Sequence, residues 1–433
     1  MNMTEMIIKK RNGGELNKDE IHWFIKNYVD GVIPDYQVSA LLMAIYFKGL
    51  NNKETYTLTR EMENSGDHAD LSSIKGIKVD KHSTGGVGDK TTLIVGPIVA
   101  ALGAPVAKMS GRALGFTGGT IDKMEAMDGF KTSLGPDEFV EQVNEIGIAV
   151  IGQSGELTPA DKKLYALRDV TGTVDNFSLI ASSIMSKKLA AGSDAIVLDV
   201  TCGNGAFMSN EEDAEILAQM MVNIGKRAGR EMMALITDMN EPLGHAVGNS
   251  LEIEEVIETL KGNGPEDLIE VCLNLAGAML YLGAKADTLE EGKKLAKETL
   301  DSGKALAKFK ELVEKQGGNP KIIDDYSLLP KAKFTKDLTA NRRGYIESFD
   351  TSGVGFASQF SGAGRETKED DIDMGAGIYL YAKLGDYVEE GEKIATVHSS
   401  EEGKLNSALE KLAQSIKIGE KPEMPKLIKK IIE

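Results

Sequence analysis

A chain of 433 residues with 50 basic and 67 acidic side chains, net −17, is long enough for roughly two to four domains and needs no disulfide or metal staple. Its 41% hydrophobic and 27% charged residues are a globular balance, and its acidity argues against nucleic acid or an anionic lipid surface as partner. Cys202 and Cys272 make neither a disulfide framework nor a four-ligand zinc site and fit a reducing compartment. No secretory signal precedes Lys9-Lys10-Arg11. The uncharged run between Lys90 and Lys108 is broken by Gly96, Pro97, Gly103 and Pro105, so no membrane span is expected and the chain reads as cytoplasmic.

The first ~65 residues predict helices. Asn17 and Glu20 have capping-box spacing ahead of an apolar stripe at Ile21, Phe24, Ile25 and Tyr28, and a second stripe follows Pro34 at Val38, Leu41, Leu42 and Ile45. From Ile77 the pattern becomes strand, glycine loop, helix, repeated at Ile77–Val79, Val106–Met109, Ile148–Ile151 and Ala195–Val200. Helix-like stretches at Ala160–Val170 and Ser178–Ala191 are expected to return to the N-terminal helices. Helical periodicity resumes at 211–225, 251–260 and 267–282, with a charged helix at 290–316. Residues 319–336, holding Pro320 and Pro330, read as a linker, and 340–400 as a small antiparallel β unit. The expected fold class is α/β: a discontinuous helical domain (1–70 with 160–193), a larger α/β domain (71–159 and 194–335) across a cleft, and a C-terminal α+β domain (336–433).

Glycine is in excess, 47 of 433 or about 11% against an average near 7%, and it clusters in loops. Gly85-Gly86-Val87-Gly88-Asp89-Lys90-Thr91 is no Walker A loop, because Asp89 rather than Gly precedes Lys90, and it does not match Gly-x-Gly-x-x-Gly. It still suits a small anion: glycines let backbone N–H groups converge, and Thr91-Thr92 stand at a helix start. Lys81, His82, Ser83 and Thr84 flank it, and a second loop offers Lys108, Ser110 and Thr120. A third group combines Tyr165 and Arg168, three apart, with Ser183 and Lys187, four apart; these suit a planar ligand with carbonyl and N–H edges.

The runs Lys81–Asp89, Lys108–Arg112 with Thr117–Thr120, Tyr165–Thr171 and Ser182–Lys188 closely resemble the thymidine and pyrimidine-nucleoside phosphorylase family, over nearly the whole chain. The resemblance implies a homodimer whose helical and α/β domains close over phosphate and a pyrimidine nucleoside, yielding free base and (deoxy)ribose 1-phosphate. Phosphate would be held by Lys81, His82, Ser83, Thr92, Lys108, Met109, Ser110 and Thr120. The base would be held by Tyr165, Arg168, Ser183 and Lys187, with Leu114, Val174, Ile180 and Phe207 as apolar walls or ordinary core. Arg168, Ser183 and Lys187 would act on the departing base. His82, with an ordinary pKa near 6.5, is a candidate proton donor whose charge Lys81 disfavours and phosphate favours.

Four departures from the family pattern stand out. Phe116 replaces a usual His and Ala113 a usual Gly. Thr201-Cys202-Gly203-Asn204-Gly205 stands where Lys-x-Gly-Ser-Gly is usual, and Lys90 stands where the bacterial branch has Thr beside a potassium ion. Gly88, Leu243, Ala246 and Glu255 match the other positions of that metal site, so potassium is the implied cofactor, with Lys90 expected to weaken or replace it. Two other readings remain: an anthranilate-type phosphoribosyltransferase, which needs paired acids for magnesium pyrophosphate, and a non-catalytic nucleoside- or phosphate-binding protein.

Overall fold

The computed structural model describes residues 1–112, 118–153, 156–365 and 370–433. Four helices open the chain: α1 (Met3–Arg11), α2 (Lys18–Val29), α3 (Asp35–Lys48) and α4 (Asn52–Glu63). Complete capping boxes start two of them: Asn17 with Glu20 on α2, and Asn51 with Glu54 on α4. Glu54 also accepts from Lys10 Nζ at 2.8 Å, both side chains being buried, which ties α1 to α4.

The middle of the chain builds an α/β layer. Its elements are β1 (Val79–Ser83), α5 (Thr91–Ala101), β2 (Val106–Ser110), α6 (Thr120–Glu125), α7 (Pro136–Ile146), β3 (Ile148–Gly152), α8 (Pro159–Thr171), α9 (Phe177–Ala190), β4 (Ala195–Cys202), α10 (Glu211–Arg227) and β5 (Glu231–Asp238). β1, β4 and β5 run parallel, with Ser83 beside Asp199 and Asp199 beside Leu235. β4 is buried along its whole length, as a near-continuous apolar run covered on both faces should be. β2 and β3 form a separate parallel pair. α8 and α9 are shared between layers. Ala160, Leu164 and Leu179 pack into the N-terminal helical core, while Ala181, Met185 and Leu189 pack with Ile196, Leu198 and α10.

After β6 (Ala246–Val247) come α11 (Asn249–Leu260), α12 (Glu266–Leu282), α13 (Leu289–Asp301) and α14 (Lys304–Lys315). The single charged helix expected at 290–316 is thus two helices, broken at Gly303, whose φ of 75° favours glycine. The expected linker is packed instead. Ile322, Ile323 and Leu329 are buried in the main core, because prolines here start a 3₁₀ turn and close a packed segment rather than mark a free tether.

The C-terminal region holds β7 (Phe334–Thr339), β8 (Gly344–Phe349), α15 (Thr351–Ser358), β9 (Gly377–Leu380), β10 (Tyr387–Val388), β11 (Lys393–Ser399), α16 (Glu402–Ser415), β12 (Ile416–Gly419) and β13 (Ile428–Ile432). Two antiparallel sheets form, ordered β10-β8-β12 and β6-β9-β11-β7. The chain therefore exchanges strands across the expected boundary: β6 joins a C-terminal sheet, and β13 returns to pair antiparallel with β5, Ile432 beside Ala234. Among the described residues no helix is long and apolar enough to cross a membrane.

Candidate active site

A cleft of about 780 Å³ lies between the carboxyl ends of β1 and β2 on one side and α8 and α9 on the other. Outside the carboxyl ends of parallel strands is where open α/β sheets place ligands. One wall carries His82, Ser83, Thr92, Lys108, Met109, Ser110 and Thr120; the other carries Tyr165, Arg168, Ser183 and Lys187, with Val174, Ile180 and Phe207 between.

The strand wall is a lattice of buried ions. Asp80 on β1 lies 3.2 Å from Lys108 Nζ and 2.8 Å from Lys188 Nζ, all three side chains being buried. Lys108 also donates to the Lys81 carbonyl at 2.5 Å, and Lys188 to the Met109 carbonyl at 3.2 Å. Burial lowers the Lys108 pKa to about 7; Asp80 opposes the shift, while Lys188 and Lys81 reinforce it. His82 projects from the same strand into this field. Burial first, then Lys188, Lys108, Lys187 and Lys81, push its pKa well below the ordinary value, so the imidazole is neutral at pH 7.

Lys81 points the other way. Its ammonium donates to Thr91 Oγ1 at 2.5 Å and pairs with Asp199 at 3.2 Å and Asp89 at 3.6 Å. Successive strand residues face opposite sides, so Asp80 and His82 share one face and Lys81 takes the other. Asp89, whose position beside the glycine loop looks hostile to an anion, is neutralised by Lys81 and by a hydrogen bond donated from Thr91 Oγ1 at 2.6 Å.

The helical wall is built differently. The Arg168 guanidinium donates through Nε, Nη1 and Nη2 to the carbonyls of Thr173, Leu179 and Val174 at 3.2, 3.1 and 2.8 Å. Three of its five N–H groups fix its plane, leaving two for a ligand. Lys187 donates to Asp161 at 2.5 Å and to Ser183 Oγ at 2.9 Å, which leaves one ammonium proton. The Tyr165 ring lies between the cations, its centroid 5.9 Å from Arg168 and 6.0 Å from Lys187.

Comparisons with known families match the chain in three parts. Residues 4–66 match a glycosyl transferase family helical bundle domain and residues 75–306 the α/β domain of that family. Residues 345–419 match a pyrimidine nucleoside phosphorylase C-terminal domain. The chain is 55% identical to a pyrimidine-nucleoside phosphorylase of Staphylococcus haemolyticus (strain JCSC1435), with all of both chains covered. It is 56% identical to one of Staphylococcus aureus (strain bovine RF122 / ET3-1), again over both whole chains. The chain belongs to the pyrimidine-nucleoside phosphorylase family. A solved anthranilate phosphoribosyltransferase of Thermus thermophilus is similar with TM-score 0.59 and 21% identity, covering 72% of this chain and 99% of that one, which shows a shared fold alone.

In this member of the phosphorylase family, Lys108, Arg168, Lys187 and Lys188 line the cleft, while Lys81 turns to the opposite face of β1. The sequence reading missed Asp80, Lys188 and Asp161. Asp161 carried a signal, since Asp161, Tyr165 and Arg168 fall at i, i+4 and i+7 on one face of α8. The Thr201–Gly205 departure does not line the cleft. Thr201 donates to the Gly85 carbonyl, and Asn204 bridges to the Phe349 carbonyl at 3.1 Å and the Thr351 amide at 2.6 Å. This segment braces the glycine loop and the C-terminal region. Ala113, Leu114 and Phe116 lie outside the described residues.

The five positions of the family's metal site converge, but not around an open space. Lys90 Nζ itself sits among them, donating to Leu243 O, Ala246 O and Glu255 Oε2 at 2.8, 3.1 and 2.5 Å. These residues do not fit a bound potassium ion.

Proposed function

We propose that the chain catalyses reversible phosphorolysis of pyrimidine nucleosides, releasing the free base and (deoxy)ribose 1-phosphate in nucleoside salvage or catabolism, with uridine, thymidine and deoxyuridine as substrates. The observation that carries this reading is a single cleft with an anion wall facing a base wall. Ser83, Thr92, Ser110 and Thr120 offer hydroxyls and Lys108 an ammonium to phosphate, at the start of α5 where the helix dipole favours negative charge. Tyr165, Arg168, Ser183 and Lys187 take the planar base.

Phosphate oxygen attacks the anomeric carbon as the bond to the base nitrogen breaks, so positive charge grows on the sugar and negative charge on the base. Arg168 and Lys187, pre-oriented by their carbonyl and carboxylate partners, bind that developing charge more strongly than the neutral base. This difference is what accelerates the step. His82 starts neutral, and a phosphate dianion beside it draws its pKa upward, so proton delivery to the base follows phosphate binding in this scheme.

The phosphoribosyltransferase alternative needs free acid pairs for magnesium. Asp89 is engaged by Lys81 and Thr91, and Asp122 by Arg112 at 3.1 Å and Arg365 at 3.3 Å, which favours the phosphorylase. Release of uracil from uridine tests the choice. Dependence on inorganic phosphate without magnesium is expected; dependence on magnesium and pyrophosphate overturns the reading, as does binding without turnover.

A homodimer is part of the proposal. Tyr36, Ala40, Met43 and Phe47 form an exposed stripe along one face of α3, with Tyr36 and Phe47 each 74% exposed, beside exposed Val32. Such a contiguous apolar face suits a second copy. Sedimentation of the intact chain is expected to give twice 46.6 kDa.

A further inference from the structure

The loop at residues 242–246 joins the α/β layer to a C-terminal sheet, and all five of its carbonyls are engaged. Lys383 donates to those of Pro242 and Gly244, Lys90 to those of Leu243 and Ala246, and the Leu380 amide to that of His245. Glu255 closes the arrangement from α11. One of its oxygens accepts from Lys90 and the other from the His245 amide at 2.7 Å. The three ammonium protons of Lys90 meet three acceptors, and the side chain is 0% exposed.

Lys90 also belongs to the anion wall by chain position. It immediately precedes Thr91 and Thr92 and follows the glycine loop, which approaches the 242–246 loop closely. The Leu243 amide donates to Val87 O at 3.0 Å, and a Cβ at Gly88 would lie 2.5 Å from Leu243 O. A neighbouring buried lysine repeats the device: Lys123 donates to the Asp89 carbonyl at 3.2 Å and pairs with Glu252 one turn before Glu255.

We propose that Lys90 is a tethered cation that takes the place of a bound potassium ion, cross-linking the phosphate-side glycine loop to the 242–246 loop and making fold and turnover independent of potassium. Two carbonyls and a carboxylate converging on one buried positive centre are what a monovalent metal ion would require. Supplying that centre from the chain removes the dependence on ion concentration, because the tether fixes its effective concentration. Lys90 contacts no substrate in this scheme and is a positioning residue.

The test compares potassium chloride with tetramethylammonium chloride at equal ionic strength, reading melting temperature and phosphorolysis rate. The unmodified chain is expected to show the same melting temperature and rates within about two-fold in both salts, since nothing is left for the ion to pair with. Lys90→Thr, which opens the cradle, is expected to melt several degrees lower in tetramethylammonium and to be restored by potassium in both readouts. Lys90→Met, which fills the same length without charge, is expected to be weakened in both salts and not restored. A potassium-dependent rise in melting temperature or a several-fold rise in rate for the unmodified chain overturns the proposal, whether or not the variants fold. So does a Lys90→Met chain as stable as the unmodified one. Melting temperature is read without substrate, so failure here is distinct from failure of the phosphorylase reading.

Discussion

The two walls of the cleft hold their cations by different means. On the strand wall, Lys108 and Lys188 share one carboxylate, Asp80, and all three are buried, so two positive charges compete for a single negative one. On the helical wall, Arg168 is positioned by three neutral carbonyls, and Lys187 has a carboxylate of its own in Asp161. The strand wall is therefore under-neutralised, with Lys108 brought down to about 7, which suits an anionic ligand. The helical wall carries settled charge in a fixed geometry, which suits a neutral ligand that becomes negative only as its bond breaks.

The sharpest way to break this contrast is to remove the shared carboxylate. Asp80→Asn leaves two buried ammonium groups without a counter-charge and is expected to cost about 3–5 kcal/mol, read as a lower urea midpoint. High phosphate should recover part of that loss, because the ligand supplies the missing negative charge. A variant as stable as the parent would show that Asp80 does not bear the charge of this wall. On the opposite wall, Lys187→Ala should leave the fold intact while lowering kcat by about 10²–10³, the usual effect of deleting one group that stabilises transition-state charge. Unchanged turnover would refute the base-side assignment.

Much of the fold was legible locally. The capping box at Asn17 and Glu20, the apolar run of β4 and the glycine loops after β1 and β2 all announce their elements within a few residues. What sequence could not supply was pairing at long range. Asp80 reaches Lys188 across 108 positions, and nothing near either residue marks the contact. Lys81 shows the same limit: its ammonium pairs with Asp199 at 3.2 Å, and nothing near Lys81 in the sequence marks that partner. β13 was invisible for a related reason: Ile428–Ile432 is short and lysine-rich, and its partner β5 lies almost two hundred residues earlier. Lys90 was the reverse case. Its departure from the family pattern was visible in sequence, but its three acceptors were not.

Protonation sharpens the same contrast with a smaller effect. Lys108 binds an anion only as the ammonium, and its pKa lies near 7, so kcat/KM for phosphate should fall about tenfold per pH unit well above that point. Bound phosphate favours the charged form, so kcat itself should hold to higher pH. Lys108→Arg cannot lose its proton in this range and should flatten the limb, while titration of free phosphate is common to both proteins. A limb that survives the substitution would belong to another group.

The smallest expected effect separates the walls most cleanly. Asn176 caps α9 by accepting from the Leu179 amide at 3.1 Å, and the Leu179 carbonyl in turn accepts from Arg168 Nη1. Asn176→Ala should cost about 1 kcal/mol through loss of the cap. The loosened first turn also frees one of the three carbonyls that fix the guanidinium plane. The nucleoside KM should therefore rise a few-fold while the phosphate KM stays put, because the cap acts on Arg168, which lies on the helical wall. Equal changes in both constants would mean that the walls are mechanically coupled through α9, whose later turns carry Lys187 toward Asp161 and Lys188 toward Asp80. Substitution at the cap tests whether those two adjacent lysines, facing opposite walls, respond together or apart.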